Sequence, residues 1–273
     1  MTQKSNTQQK PTNYKLSIQI SLSGLSFCIL QEETNTIIEL KDFKFDKKLN
    51  PLEILDFLKQ QFGNEQSLNQ SFSSVCVIHT NELSTLVSKA LFNEDCLADY
   101  LKFNAKILKS DFIAYDILSN LDIINVYVPY VNVNNFIYDS FGAFIYKHFS
   151  TVLIESILSK EMYGNDSKVY VHVGSNHFEI VVINQGKLIL YNTFDYKTKE
   201  DFIYYILFTY EQLKLNPETH LLILLGNISK TNELYDIAYK YIRHIDFGSG
   251  TDNYRFNEKL SQKHSNFIIL NSF

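Results

Sequence analysis

From residue 14 onward the chain runs in short stretches of alternating apolar and polar residues, separated by tight turns. Every second residue is apolar in Leu16, Ile18 and Ile20, and again in Val169, Val171 and Val173, which predicts strands with one face in a core. The two stretches also match beyond these strands. Laying LSIQISLSGLSFCIL (16–30) over VYVHVGSNHFEIVVI (169–183) puts Ile18 on Val171, Ile20 on Val173, Leu25 on Phe178, Phe27 on Ile180 and Ile29 on Val182. After a turn slightly longer in the first copy, IIELKDFKF (37–45) falls on LILYNTFDY (188–196), with Phe43 over Phe194. One repeat at a near-constant separation predicts two lobes rather than a solenoid.

Each copy reads strand, turn, strand, turn, strand, and then a helix. In the first copy the helix is NPLEILDFLKQQF (50–62), with Asn50 placed to cap it and Pro51 at its first position. In the second it runs from 198 to 215, with Thr198 and Asp201 as a capping box and Phe202, Ile206, Tyr210 and Leu213 as its apolar stripe. Both copies return to a short continuous apolar run, SVCVIH (74–79) and HLLILLG (220–226), as expected of a strand covered on both faces. The expected fold class is therefore α/β, with two lobes, each a sheet flanked by helices. Residues 1–13 are expected to be a flexible tail, 14–163 the first lobe and 164–273 the second. The first lobe is expected to carry an inserted subdomain at about 83–135. Phe141, Ile145, Phe149, Leu153 and Ile157 predict one linking helix over about 136–162.

Composition narrows the function classes more than it names one. The net charge of -5 and the absence of Lys/Arg runs give no footprint for nucleic acid. Cys28, Cys76 and Cys96 are scattered without a C-x-x-C, which excludes a zinc ribbon or redox motif and fits a reducing cytosol. The polar residues 1–13 hold no secretory apolar segment, and the longest apolar stretch (202–210) is far short of the ~18 residues of a membrane span. A cytoplasmic protein without a membrane span is expected.

Several small motifs invite chemistry. His172, His177 and Glu179 surround the second hairpin turn and could be drawn as a metal site, but a hydrogen-bonded strand histidine and a surface turn histidine are the expected reading. Residues 246–252 hold a D-F-G triplet without any other kinase element, and their Asp spacing does not make a cation loop, so a flexible connection is expected. No G-x-S-x-G is present for Ser/His/Asp catalysis. Tyr204, Tyr205 and Tyr210 sit on one helix and are expected to belong first to the core.

The duplicated order around a linking helix resembles the actin-like ATPase fold, a pair of ribonuclease-H-like lobes, which implies a mixed five-stranded sheet flanked by helices in each lobe. With its first-lobe insertion it looks most like the type IV pilus assembly protein PilM and the cell-division protein FtsA. More narrowly, YNTFDYKTKEDFIYYILFTYEQLKL (191–215) resembles an uncharacterised bacterial family of about this length. The wider resemblance implies a nucleotide cleft built from two hairpin tips and an adenosine loop. On this sequence those positions are Ser23 and Gly24, then Gly174, Ser175 and Asn176, then Gly226 and Asn227. It also implies an Asp in each hairpin to organise Mg²⁺ or the attacking water. Those positions hold Gln19 (or Ser21, if the register slips) and His172. A neutral amide and an imidazole do not replace two negative charges opposite Mg-ATP. The expectation is a non-catalytic protein without a bound cofactor, acting through a protein partner or self-association, a peripheral membrane partner included. The alternative is an ATP-binding ATPase or switch that draws its charge from Glu179, Asp195 or Asp201.

Overall fold

The fold was described from a computed structural model, which places residues 13–119, 121–248, 254–256 and 263–273. The expected tail at 1–12 and the connection at 249–252 lie outside the described residues; Asn13 is described, its carbonyl accepting the Glu32 N–H at 2.8 Å. The chain divides into two units. One holds residues 13–149, 254–256 and 272–273, and the other holds 150–248 and 263–271.

The first unit opens with β1 (Tyr14–Ser21), β2 (Gly24–Gln31), β3 (Thr36–Lys44), α1 (Pro51–Asn64) and β4 (Ser74–Thr80). Asn50 caps α1 as expected, its Oδ1 accepting the N–H groups of Leu52 and Glu53 while Glu53 accepts from Asn50 N–H. The insertion follows as β5 (Ser84–Ser88), α2 (Leu97–Leu101), β6 (Ala114–Ile117) and β7 (Ile123–Tyr127), with the three strands forming their own sheet in the order β5-β7-β6. Leu101, Ile124 and Val126 make its small core. Next come α3 (Val131–Phe141) and β8 (Ile145–His148). Val133 and Ile137 of α3 pack with Ile18, Ile54 and Leu58, so α3 belongs to the lobe and not to the insertion.

The second unit comprises α4 (Phe149–Glu161, from its second residue), β9 (Ser167–Val173), β10 (His177–Asn184), β11 (Lys187–Asp195), α5 (Lys199–Gln212), β12 (Leu221–Gly226), α6 (Glu233–Tyr241) and β13 (Ile245–Phe247). The chain then supplies β14 (Arg255–Phe256) to the first unit and α7 (Phe267–Leu270) to the second. Thr198 and Asp201 make the predicted capping box on α5. Phe202, Ile206 and Tyr210 are fully buried against Val169, Val171, Val173 and Phe178. Each such side chain removes enough apolar surface from water to contribute ~1.5–3 kcal/mol.

The two sheets share one plan. Their strand orders are β14-β3-β2-β1-β4-β8 and β11-β10-β9-β12-β13. Ile18 stands opposite Phe27 and Ile20 opposite Leu25; Val171 stands opposite Ile180 and Val173 opposite Phe178. Both third strands carry a bulge at the same place, with Ile38 and Ile189 as the unpaired residues.

Three expectations are corrected. Among the described residues the first sheet has six strands rather than five, because β14 adds to the free edge of β3. The linking helix over 136–162 is instead α3, β8 and α4, with Gly142 ending α3 at φ 78. The unit boundary consequently falls at 149/150 rather than 163/164. The helical spacing ran unbroken through the short strand because Ile145 and Phe149 keep the period by coincidence.

Candidate functional site

The first hairpin tip is a two-residue turn, Leu22-Ser23, between Ser21 and Gly24. Its polar groups are largely spent on the chain itself. Ser23 N–H donates to Ser21 Oγ at 3.2 Å, and the Ser21 hydroxyl donates to Gly24 O at 3.1 Å. The carbonyls of Leu22 and Ser23 accept from Leu49 and Phe45 N–H at 2.8 and 3.0 Å. Gln19 lies behind this tip, its Nε2 donating to Thr80 Oγ1 at 3.4 Å.

The second tip is a Ser175-Asn176 turn closed by Gly174 N–H donating to His177 O at 2.8 Å. The Tyr196 hydroxyl donates to Gly174 O at 3.1 Å, and Tyr196 N–H to Asn176 O at 3.1 Å. A Cβ on Gly174 would come within 2.9 Å of the His177 ring, which folds back over the turn. The adenosine-loop position lies beside this tip. Gly226 has φ +79, and Asn227 N–H donates to Val173 O at 2.8 Å. A Cβ on Gly226 would meet Val173 O at 2.4 Å and His172 Cε1 at 3.1 Å. The structure therefore brings Gly174, Ser175, Asn176, Gly226, Asn227 and His172 together at one end of the second sheet. Ser23, Gly24 and Gln19 occupy the matching end of the first sheet, in the other unit.

Beneath the second tip is a feature the sequence reading underrated. Glu179 stands directly across from His172 in the β9–β10 ladder. Its Oε2 lies 3.1 Å from His172 Nδ1 and its Oε1 lies 3.3 Å from His177 Nε2. An ionised carboxylate only accepts, so each of those ring nitrogens carries its proton toward Glu179. His177 is thus not a free turn residue: its ring closes over a buried carboxylate. Burial would raise the Glu179 pKa, but the hydrogen bonds and charges of His172 and His177 outweigh it and hold the group at about 2. Both oxygens are taken up by the imidazoles, and among the described residues no group of three or more His, Cys, Asp or Glu is arranged to hold a metal ion. The other carboxylates near this hairpin differ. Asp201 is spent on the α5 cap, accepting from Lys197 and Thr198 N–H, which lowers its pKa; Asp195 is exposed at the end of β11.

The Glu179 arrangement predicts a pH dependence. Its folded pKa lies below the usual 4.5, so its contribution to stability is complete above about pH 4.5 and lost as pH falls toward 2. Chemical denaturation at pH 7, 4 and 2.5 should show a loss of about 2–3 kcal/mol from this group. Glu179→Gln should be less stable at pH 7 and fall less across that window; an unchanged slope would disprove the assignment.

A second polar cluster, also missed, roots the insertion in the first unit. Asp116 of β6 accepts the Tyr127 hydroxyl at 3.0 Å and His148 N–H at 2.8 Å. Asn81 Nδ2 donates to Val128 O at 2.9 Å, and Tyr130 N–H donates to His79 Nδ1 at 3.3 Å. Burial pushes the His79 pKa down to about 4, against the hydrogen bond with Asn134. Five large apolar side chains of the insertion, Leu91, Phe103, Leu108, Phe112 and Ile117, remain exposed. Among the described residues no helix is long and apolar enough to cross a membrane.

Comparison with known proteins agrees with this geometry. A protein of Bacteroides thetaiotaomicron with an actin-like ATPase fold and unknown function superimposes at TM-score 0.77 and 26% identity, over 87% of this chain and 91% of that one. The PilM-PilN type IV pilus biogenesis complex matches at TM-score 0.63 and 10% identity, over 96% and 98% of the respective chains. The ethanolamine utilization protein EutJ of Carboxydothermus hydrogenoformans matches at TM-score 0.51 and 8% identity, over 96% and 90%. These likenesses show the expected actin-like ATPase fold with two lobes. No curated protein matches the chain by sequence. A family profile covers residues 3–245, and the chain belongs to that family, described as "Protein of unknown function (DUF3822)".

Proposed function

We propose that this protein is a non-catalytic actin-like protein, the product of an internal duplication, that acts in the cytoplasm as a protein-binding or assembly scaffold. The observation that carries this reading is the chemistry behind the two hairpin tips. Where handling Mg-ATP needs carboxylates, the chain has Gln19 bonded to Thr80 and His172 bonded to Glu179. The buried Glu179 does not substitute for them, because two imidazoles hold it. The shared register and matching bulges of the two sheets support the duplication.

The insertion is the binding surface in this reading. Asp116 and Asn81 fix its orientation through hydrogen bonds, while its apolar side chains Phe103, Leu108 and Phe112 face solvent. The solved PilM relative is itself recorded in a complex with PilN, which is support by likeness alone. Differential scanning with millimolar Mg-ATP tests the absence of a nucleotide. No shift is expected, whereas a ligand at a hundred times its dissociation constant would stabilise by ~2.7 kcal/mol. Such a shift would sink the proposal in favour of a nucleotide-dependent switch.

A further inference from the structure

We infer that the loop from α2 to β6, residues 102–113, seats the protein on an anionic lipid surface. Phe103, Leu108 and Phe112 enter the bilayer interface, and Lys106 and Lys109 meet the lipid headgroups. The inference rests on the reading of the insertion as a binding surface and names what this loop takes.

The connection is long for a compact fold, where about 4–6 residues are usual. Its apolar residues fall into two groups. Ile107 and Ile113 pack against the insertion's core beside Tyr100 and Leu101, so the inward side of the loop is filled. Phe103, Leu108 and Phe112 are left outside it, 81%, 69% and 54% exposed. The backbone holds them there without a ligand. Ala105 N–H donates to Leu101 O at 2.9 Å. Leu108 and Asp111 close a tight turn, Leu108 N–H donating to Asp111 Oδ2 at 2.7 Å and Asp111 N–H to Leu108 O at 3.1 Å. Apolar side chains presented on a fixed backbone bind without a large ordering cost.

Charge selects the occupant. Between Leu101 and Ser110 the loop carries Lys102, Lys106 and Lys109 and no acid. Lys102 pairs with Asp99, and its Nζ stands 5.3 Å from the Phe103 ring centroid. Lys106 and Lys109 are exposed, and among the described residues neither makes an ion pair. Asp111, the next charged residue, is turned onto Leu108 N–H. Lysines interleaved with exposed Phe and Leu suit a membrane interface, where the apolar ends sink and the lysine stems reach headgroup phosphates. A second copy fits less well, since two such loops face to face bring their unpaired lysines together. The exposed aromatic pair of α5 has the opposite sign. Glu200 and Glu211 stand one turn from Tyr204 and Phe208, acidic neighbours that an anionic bilayer repels. There the expectation of a core tyrosine cluster is half corrected, since Tyr210 is buried and Tyr204 is not. The net charge of -5 opposes approach of the whole chain, so the attraction acts within about a Debye length, ~8 Å, of the loop.

Co-sedimentation of the full chain with lipid vesicles tests this. The chain should bind vesicles of phosphatidylglycerol and phosphatidylcholine but not of phosphatidylcholine alone, and raised salt should weaken binding. Lys106→Glu with Lys109→Glu should weaken it by about 25-fold or more, at about fivefold per lysine lost. Phe103→Ser with Leu108→Ser should weaken it by about tenfold or more. Lys230→Glu with Lys240→Glu, in the other unit, changes the net charge equally and should leave binding unchanged. Circular dichroism checks that each variant remains folded. Absence of binding to the anionic vesicles overturns the inference, and so does a loss no greater in the loop variants than in the control pair. A chain that ignores vesicles but binds polyglutamate through Lys106 and Lys109 overturns it in favour of an acidic protein partner. The scaffold reading is judged separately by Mg-ATP scanning: without a thermal shift it survives a negative vesicle result.

Discussion

Gly226→Ala should cost about 3 kcal/mol or more of stability, read as a lowered denaturation midpoint without ligand. Two effects add. At φ +79 an L-residue meets its own backbone, which costs ~1–2 kcal/mol. The new methyl would also lie 2.4 Å from Val173 O, so β9 and β12 must part at the point where Asn227 N–H bonds that same oxygen. Overpacking of that kind costs a further ~1–3 kcal/mol. Gly63→Ala is the control. It lies in α1 with nothing within 4 Å of the added carbon, and should be neutral or stabilising by up to about 1 kcal/mol. The comparison matters because the resemblance assigns Gly226 to adenosine. The packing alone requires a glycine there, so its presence is no argument for a nucleotide. Equal stability of the two variants would reverse that conclusion.

Phe178→Ala should be the larger loss, ~3–5 kcal/mol. The ring is fully buried, with centroids of Phe202, Phe194 and Tyr196 at 4.9, 5.7 and 5.9 Å. Phe202 meets it edge-on, a geometry that adds ~0.5–1.5 kcal/mol beyond area. Phe178 is also the residue next to Glu179, so its loss loosens the strand that holds the carboxylate between His172 and His177. Guanidinium unfolding of the variant measures the cost; a change below about 1 kcal/mol would mean the site collapses around the gap.

How far the sequence could be read depended on whether a local rule had one solution. The hairpin pairings were legible because in each hairpin alternation leaves one register that buries the facing pair, Ile18 with Phe27 in the first and Val171 with Ile180 in the second. The bulges at Ile38 and Ile189 were not, since one extra apolar residue in an apolar run breaks no visible pattern. β14 was invisible, because a two-residue strand has no periodicity. At the candidate site, the His172–Glu179 pair follows at once from a turn at Ser175-Asn176. A turn one residue earlier would have set Glu179 opposite Tyr170 and His172 opposite His177, and Gly174-Ser175 is an equally good turn by composition. The missing carboxylates at positions 19 and 172 were readable, since residue identity at a known register needs no packing argument.

The placement of β14 also orders events in time. The edge of β3 that it covers leaves the ribosome some 220 residues before Arg255 and Phe256 do, which is about 10–45 s at ~5–20 residues per second. Domain folding is commonly complete well within such an interval. The first unit thus waits as a five-stranded sheet, while the buried hydroxyl of Ser17 awaits Ser272, its eventual neighbour at 2.6 Å. Nascent chains should accordingly be most exposed to strand-stealing neighbours, and to chaperones that bind open sheet edges, during that window.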